Sequence, residues 1–228
     1  MVTAKETGSL EGKMNNIFNM ELIYRIFSVL IFVPLMLLPI VYSDYALVIV
    51  YLIFNSIILY ELISNKSIQR NLVIINISIA ISTITFFMFI LLNITESLTY
   101  IVIIEIIITI WLFDTFSYLG GKIFGGKKLM PTISSGKTIS GLLIGIISTL
   151  FLSLLYQIFS KVISLELTLF TTIIILFAFI GDLAASYLKR RVSIKDSGSI
   201  MPGHGGLFDR LDSFIGVFFV FGIFWLIK

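Results

Sequence analysis

Long apolar stretches separated by short polar ones run through almost the whole chain. Uninterrupted apolar runs fall near 22–41, 45–63, 72–92, 98–119, 139–160, 167–188 and 212–227. At about 1.5 Å of rise per residue, most of these reach across a hydrocarbon layer of roughly 30 Å, the last being the shortest. The pattern predicts an all-α integral membrane protein, a polytopic bundle of about seven transmembrane helices with two long polar loops. One loop follows the fourth span and the other follows the sixth. Residues 1–16 are polar, mixed in charge and without the apolar core of a signal peptide, so they read as a polar cytoplasmic tail. Residues 17–97 form amino-terminal membrane spans, and 98–228 form a membrane region that carries the polar loops.

Composition agrees. Of 228 residues, 58% are hydrophobic and 13% charged, too little polar surface for a soluble domain of this size. The absence of cysteine removes disulfides and thiolate metal sites. The net charge of +3 matters through its distribution. Fourteen of the sixteen Lys and Arg residues fall in the tail or in alternate connections on one side, leaving Lys161 and Lys228 opposite. Basic loops stay on the cytoplasmic side, so the amino terminus and both long loops are expected there. The resulting localisation is a multi-pass protein of the cell inner membrane with its polar face in the cytoplasm.

Charges inside the spans need a reason, because each costs roughly 2.5–3.5 kcal/mol on insertion scales. Asp114 and Asp182 lie on the order of 10 Å inside the cytoplasmic ends of their helices, a matched depth that suggests one water-filled pocket. Asp182, Ser186, Lys189 and Arg190 share a helical stripe leading out to the sixth loop. The plainer alternative is that each acid pairs locally with a loop lysine. Glu105 falls on the face opposite Asp114, near mid-membrane, and reads as a structural or assembly contact. Glu61, beside Lys66 and Arg70, reads as an interfacial residue.

The fourth loop, 120–138, is rich in glycine and lysine. Gly121, four residues, Gly126 and Lys127 approach a phosphate-binding P-loop, but Lys128 stands where Ser or Thr should hold magnesium, and no strand-turn-helix frame surrounds the segment. The P-loop fold is rejected; the chemistry of glycines and lysines toward an anion is not. Lys127, Lys128, Ser134, Lys137 and Thr138 are the candidate substrate-binding residues here, the last leading into a helix whose amino-terminal amides suit an anion. An ordinary positively charged connection with flexible glycines would look much the same.

The sixth loop, 186–212, is harder to read as a topogenic cluster. It carries Lys189, Arg190, Arg191, Lys195 and Arg210, but also Asp196, Asp209 and Asp212, and acids have no part in the positive-inside rule. Asp209 and Asp212 stand at i, i+3 where the last helix begins, and with Asp182 they can bind a hard cation such as Mg²⁺ through oxygen. The run Pro202-Gly-His-Gly-Gly206 turns sharply and puts His204, the lone histidine, in a loop. There it either meets phosphate or organises the turn. Nothing resembles Ser-His-Asp spacing, His-Glu-x-x-His, or a basic-aromatic nucleic-acid surface, so no nucleic-acid partner is expected. Lysines, arginines and clustered aspartates beside lipid fit metal-assisted attack at phosphorus.

Ser186, Leu188, Lys189, Arg190, Lys195, Asp196, Gly198, Pro202, His204, Gly205, Gly206, Leu207, Asp209, Arg210, Leu211 and Asp212 stand in register with one family signature. In these residues the chain resembles the phosphatidate cytidylyltransferase (CDP-diacylglycerol synthase) family. Asp114-Thr-x-x-Tyr118 and Gly181-Asp182-Leu183 extend the resemblance over roughly the carboxyl-terminal half. Two positions depart from it: Ser140 and Ala185 stand where the family often has an acid. The resemblance implies an Mg²⁺-dependent nucleotidyltransferase of phospholipid biosynthesis, with CTP and phosphatidate as substrates and CDP-diacylglycerol and pyrophosphate as products. It makes 98–228 the catalytic region, with Asp182, Asp209 and Asp212 on the metal, and Asp114 and Asp196 as further ligands or their supports. Lys189, Arg190, Lys195 and Arg210 would clamp phosphates. His204 is carried as catalytic, and Ser186, Gly205 and Gly206 as substrate-binding. Selectivity for cytosine and a homodimeric assembly also rest on the resemblance alone. Two other readings are a CTP-dependent lipid or polyprenol kinase and a membrane transporter using Asp114, Asp182 and Glu105 as an ion path. Transport would want acids spread across the bilayer and inverted repeats, and neither is visible.

Overall fold

The computed structural model of the chain describes residues 27, 30–40, 42–64, 98–201 and 205–227. Within them the protein is mostly helical: α1 (Leu30–Ile40), α2 (Asp44–Ser64), α3 (Leu98–Phe124), α4 (Ile139–Phe159), α5 (Leu165–Arg191) and α6 (Phe208–Ile227). The tail 1–16 and the run near 72–92 lie outside the described residues. Among the described residues, three helices are long and apolar enough to cross a membrane: Ile101–Phe124, Ile139–Phe159 and Leu165–Arg191. Backbone groups in hydrocarbon must satisfy one another, and the helix does this without outside partners.

The apolar residues divide between an interior and a lipid-facing surface. Ile103, Ile106, Ile107, Ile110 and Phe113 of α3 are buried against a core that includes Phe54, Ile58 and Leu62 of α2, Ile174 and Ala178 of α5, and Phe214, Val217 and Phe218 of α6. On α4 the pattern of a soluble helix is inverted. Its buried positions are Gly141, Gly145, Thr149 and Gln157, whereas Leu143, Ile147, Phe151 and Leu154 are exposed. Small and polar side chains inside with large apolar ones outside is how helices pack in lipid, where apolar residues gain nothing by avoiding solvent. Polar pairs join the helices: Ser153 Oγ and Thr171 Oγ1 are 3.1 Å apart, and Gln157 Nε2 donates to Thr168 Oγ1 at 3.2 Å. Glu105 lies within reach of Thr171 on α5.

The fourth loop departs from an all-helical fold. β1 (Lys128–Met130) pairs antiparallel with β2 (Ser134–Thr138), and β2 runs directly into α4. Thr138 ends the strand and caps the helix, its Oγ1 accepting from Gly141 N at 3.1 Å. Ser140 Oγ donates to Gly125 O and lies 3.0 Å from Thr138 Oγ1, so at this departure from the family pattern a hydroxyl ties the glycine turn to the cap. Arg190 Nε donates to Ile133 O at 3.1 Å, fastening the hairpin's tip to α5.

At its carboxyl end α5 closes with a left-handed residue that is not glycine. Ser193 has φ +59°; its N–H donates to Arg190 O at 3.0 Å and that of Ile194 to Lys189 O at 3.0 Å. This paired closure is the Schellman arrangement, and it turns the chain sharply into the sixth loop. The basic last turn of α5, Lys189 to Arg191, also opposes the negative end of the helix dipole.

Candidate active site

Two close helix crossings bring the polar residues together. A Cβ added at Gly181 of α5 would lie 2.7 Å from both Asp212 O and Gly216 Cα of α6, so the two backbones meet with no side chain between them. Asp182 follows Gly181 in sequence, and Asp212 precedes Gly216 by one helical turn. The crossing therefore fixes the two aspartates as neighbours. On the other side, Gly141 of α4 packs on Ser117 O and Gly121 of α3, which holds the hairpin over the end of α3 that bears Asp114.

The result is a cavity of about 970 Å³, within the range of small-molecule and cofactor sites, roughly 300–1,000 Å³. Its acids are Asp114, Asp182, Asp196, Asp209 and Asp212; its cations are Lys122, Lys128, Lys137, Lys189 and Arg210. Gly136, Thr138 and Tyr118 also border it. Carboxylates for a hard cation and ammonium groups for phosphate oxygens thus face one space. Asp114, Asp182 and Asp212 lie within electrostatic reach of one another, a local concentration of negative charge that favours a cation.

The acids are engaged very differently. Asp209 is saturated: Oδ1 accepts from Lys189 Nζ at 2.6 Å, and Oδ2 accepts from Ser197 N at 2.8 Å, Ser197 Oγ at 3.1 Å and Gly206 N at 3.1 Å. Its carboxylate folds the sixth loop back onto the start of α6. Asp182 pairs with Lys137 and accepts from Ser186 Oγ at 3.4 Å; Lys137 Nζ also lies over the Phe179 ring at 5.3 Å. Asp212 Oδ1 accepts from Ser213 N at 2.9 Å, and its Oδ2 is 3.9 Å from Lys189 Nζ. Asp114 Oδ2 accepts from Ser213 Oγ at 3.4 Å. Among the described residues no three His, Cys, Asp or Glu side chains form a ready metal cluster. Magnesium commonly takes only one or two carboxylates, with water and substrate phosphate completing its octahedron. Asp182 and Asp212 fit that demand better than Asp209, whose oxygens already serve four donors.

Several expected residues stand elsewhere. Lys127 and Lys195 are exposed and, with Ser134, lie outside the cavity lining. Arg190 spends its guanidinium on Ile133 O and Ile194 O. Gly205, at φ +88°, and Gly206 shape the loop, Gly205 O accepting from Met201 N at 2.9 Å. Ala185 is buried in the core. His204 lies outside the described residues.

Glu61 corrects its reading as an interfacial residue. It is 4% exposed, and its carboxylate accepts from Leu207 N at 3.0 Å and Phe208 N at 3.2 Å. The first amides of a helix have no partner within it, and Glu61 supplies one to α6 from 146 residues earlier in the chain. A signal was present: an acid near the carboxyl end of an apolar helix opposes that helix's own dipole and must be compensated elsewhere.

Comparison with known proteins agrees with the signature. The profile of the cytidylyltransferase family matches residues 1–227. The chain is 35% identical over 223 residues to a phosphatidate cytidylyltransferase of Rickettsia typhi, covering 94% of each chain. It is 35% identical over 226 residues to that of Rickettsia felis, covering 94% of this chain and 95% of the relative. With the enzyme of that name from Staphylococcus saprophyticus it is 44% identical over 125 residues, 54% of this chain and 47% of the relative. The match thus spans about half the length of the staphylococcal relative and nearly all of the rickettsial ones. Lys189, Asp196, Asp209, Arg210 and Asp212 of the signature line one cavity, and by these matches over nearly its whole length the chain belongs to the cytidylyltransferase family.

Proposed function

We propose that this protein transfers a cytidylyl group from CTP to phosphatidate, giving CDP-diacylglycerol and pyrophosphate. The observation that carries the reading is the cavity itself: Lys137, Lys189, Asp182 and Asp212 face one space at the ends of membrane-length helices. A lipid headgroup reaches that space while its acyl chains stay beside the exposed apolar faces.

A phosphate oxygen of phosphatidate attacks the α-phosphorus of CTP. The new P–O bond forms as the bond from the α-phosphorus to the oxygen bridging to the β-phosphate breaks, and pyrophosphate leaves with that electron pair. No protein nucleophile is needed, so the residues act by positioning and charge neutralisation. Lys128, Lys137 and Arg210 draw the phosphates into the cavity. Lys189 stays with Asp209 and Asp212 and keeps both carboxylates ordered. Asp182 and Asp212, with Asp114 beside them, are the residues that would hold Mg²⁺, which would supply neutralisation of phosphate charge there. Lys137, paired with Asp182 in the structure, lines the same cavity, where its ammonium can meet a phosphate oxygen.

The basic loops set the cavity on the cytoplasmic side of the cell inner membrane. About seven spans is the topology that the hydrophobic runs support, and a homodimer is the assembly the family resemblance implies.

The test uses purified protein in lipid with phosphatidate, Mg²⁺ and CTP labelled at either the α- or the γ-phosphate. Label from the α position enters lipid and γ label leaves as pyrophosphate. Entry of γ label into lipid would instead identify a kinase, and transfer of neither, by folded protein, would sink the proposal.

A further inference from the structure

Glu61 lies far from the signature in sequence yet touches it at Gly198 and again at Gly206 to Phe208. Its oxygens accept from Leu207 N and Phe208 N where α6 begins. They also fill the space that side chains would occupy at two loop glycines: a Cβ at Gly198 would lie 2.8 Å from Glu61 Oε1, and one at Gly206 2.8 Å from Oε2. Two carboxylates thus hold the loop, one from α6 and one from α2. Asp209 reaches back from α6 to Ser197, Gly206 and Lys189, and Glu61 reaches in from α2. The start of α6 cannot shift without breaking one set, and Asp212 stands one turn into that helix.

We propose that Glu61 is a positioning residue for cytidylyl transfer: it anchors the first turn of α6 and closes the glycine loop, so that Asp209 and Asp212 meet the cavity in fixed register. The proposal rests on the activity given above. Glu61 borders no part of the 970 Å³ cavity and acts only through the loop. Burial of the carboxylate makes it effective, because a charge-assisted acceptor at a helix start strengthens as water is excluded. The amino-terminal helices thereby contribute an anchor, besides Phe32 and Val33 of the lining, to a cavity whose charged residues all come from 98–228.

The experiment compares wild type with Glu61→Gln in nanodiscs, measuring α-label transfer and amide hydrogen exchange by mass spectrometry. Glutamine keeps the size but removes the charge and one acceptor oxygen. Turnover per folded molecule falls on the order of 10²-fold, the cost of a small misplacement of reacting groups, while KM for CTP changes little. Exchange accelerates at Leu207 and Phe208 while residues 174–185 of α5 keep their protection. Unchanged turnover per folded molecule, or unchanged exchange at 207 and 208, would overturn the proposal. If E61Q fails to fold, wild type still decides. Amides of an uncapped first turn exchange freely, so slow exchange at Leu207 and Phe208 supports the anchor and fast exchange overturns it. Wild type that transfers no α label would refute the activity and leave the exchange measurement to judge the anchor alone.

Discussion

Gly216 of α6 sits so close to Gly181 of α5 that a Cβ on Gly216 would lie 2.5 Å from Gly181 Cα. The same added carbon would lie 2.5 Å from Phe177 O. Both obstacles are backbone, which cannot rotate away as a side chain can. The contact keeps Asp182 and Asp212 neighbours in the cavity lining, so the acidic cluster depends on two residues with no chemistry of their own.

Gly216→Ala is therefore expected to lower stability by about 1–3 kcal/mol through overpacking and to reduce activity by parting the two aspartates. Gly136→Ala is the control, since a Cβ there meets nothing within 4 Å; its melting temperature should match wild type. Thermal unfolding in detergent reads both, and equal melting temperatures for the two variants would refute the close-crossing argument.

Lys189 holds two carboxylates in a nearly closed setting, its side chain 11% exposed and that of Asp209 7%. Removing one partner of a buried pair typically costs about 3–5 kcal/mol, and Lys189→Met should approach the lower figure because Asp209 keeps its Ser197 and Gly206 donors. The double variant with Asp209→Asn should recover part of the loss. A double-mutant cycle by chemical denaturation with no coupling between the sites would show that the 2.6 Å contact contributes nothing.

The unequal engagement of the acids makes the proposed metal binding separable from loop folding by mutation. Asp182→Asn and Asp212→Asn should each raise the Mg²⁺ concentration for half-maximal transfer, on the order of tenfold or more. Asp209→Asn should lower the melting temperature and leave the Mg²⁺ midpoint in place. Metal titrations of initial rate decide it: a midpoint shifted as far in D209N as in D212N would return Asp209 to the metal.

Thr138 joins hairpin to helix through one hydroxyl. Loss of such a cap in Thr138→Ala should cost about 1 kcal/mol, and Thr138→Ser should restore most of it, because serine presents the same oxygen to Gly141 N. The comparison of melting temperatures would count against the cap if serine proved no better than alanine.

Much of this molecule was legible from residue order because lipid imposes continuous apolar runs. Runs read near 139–160 and 167–188 correspond to helices Ile139–Phe159 and Leu165–Arg191. The signature around Lys189, Asp209 and Asp212 was legible too, since phosphate and metal chemistry restricts residue type more than packing does. The hairpin was not: three- and five-residue strands made of lysine, serine and glycine carry no alternation of apolar and polar residues. Spacing likewise put Asp209 and Asp212 on a shared helical face but could not tell which neighbouring donors meet each oxygen.

By itself, then, the sequence determined the membrane-length apolar helices and the family signature, because these follow from hydrophobicity and side-chain type along one segment. Only the tertiary structure decided that Glu61 anchors α6, that Lys137 pairs with Asp182, and that Gly181 and Gly216 set the acids together. Each joins separate segments, and no local period or propensity encodes which distant atom will fill a given hydrogen bond or gap.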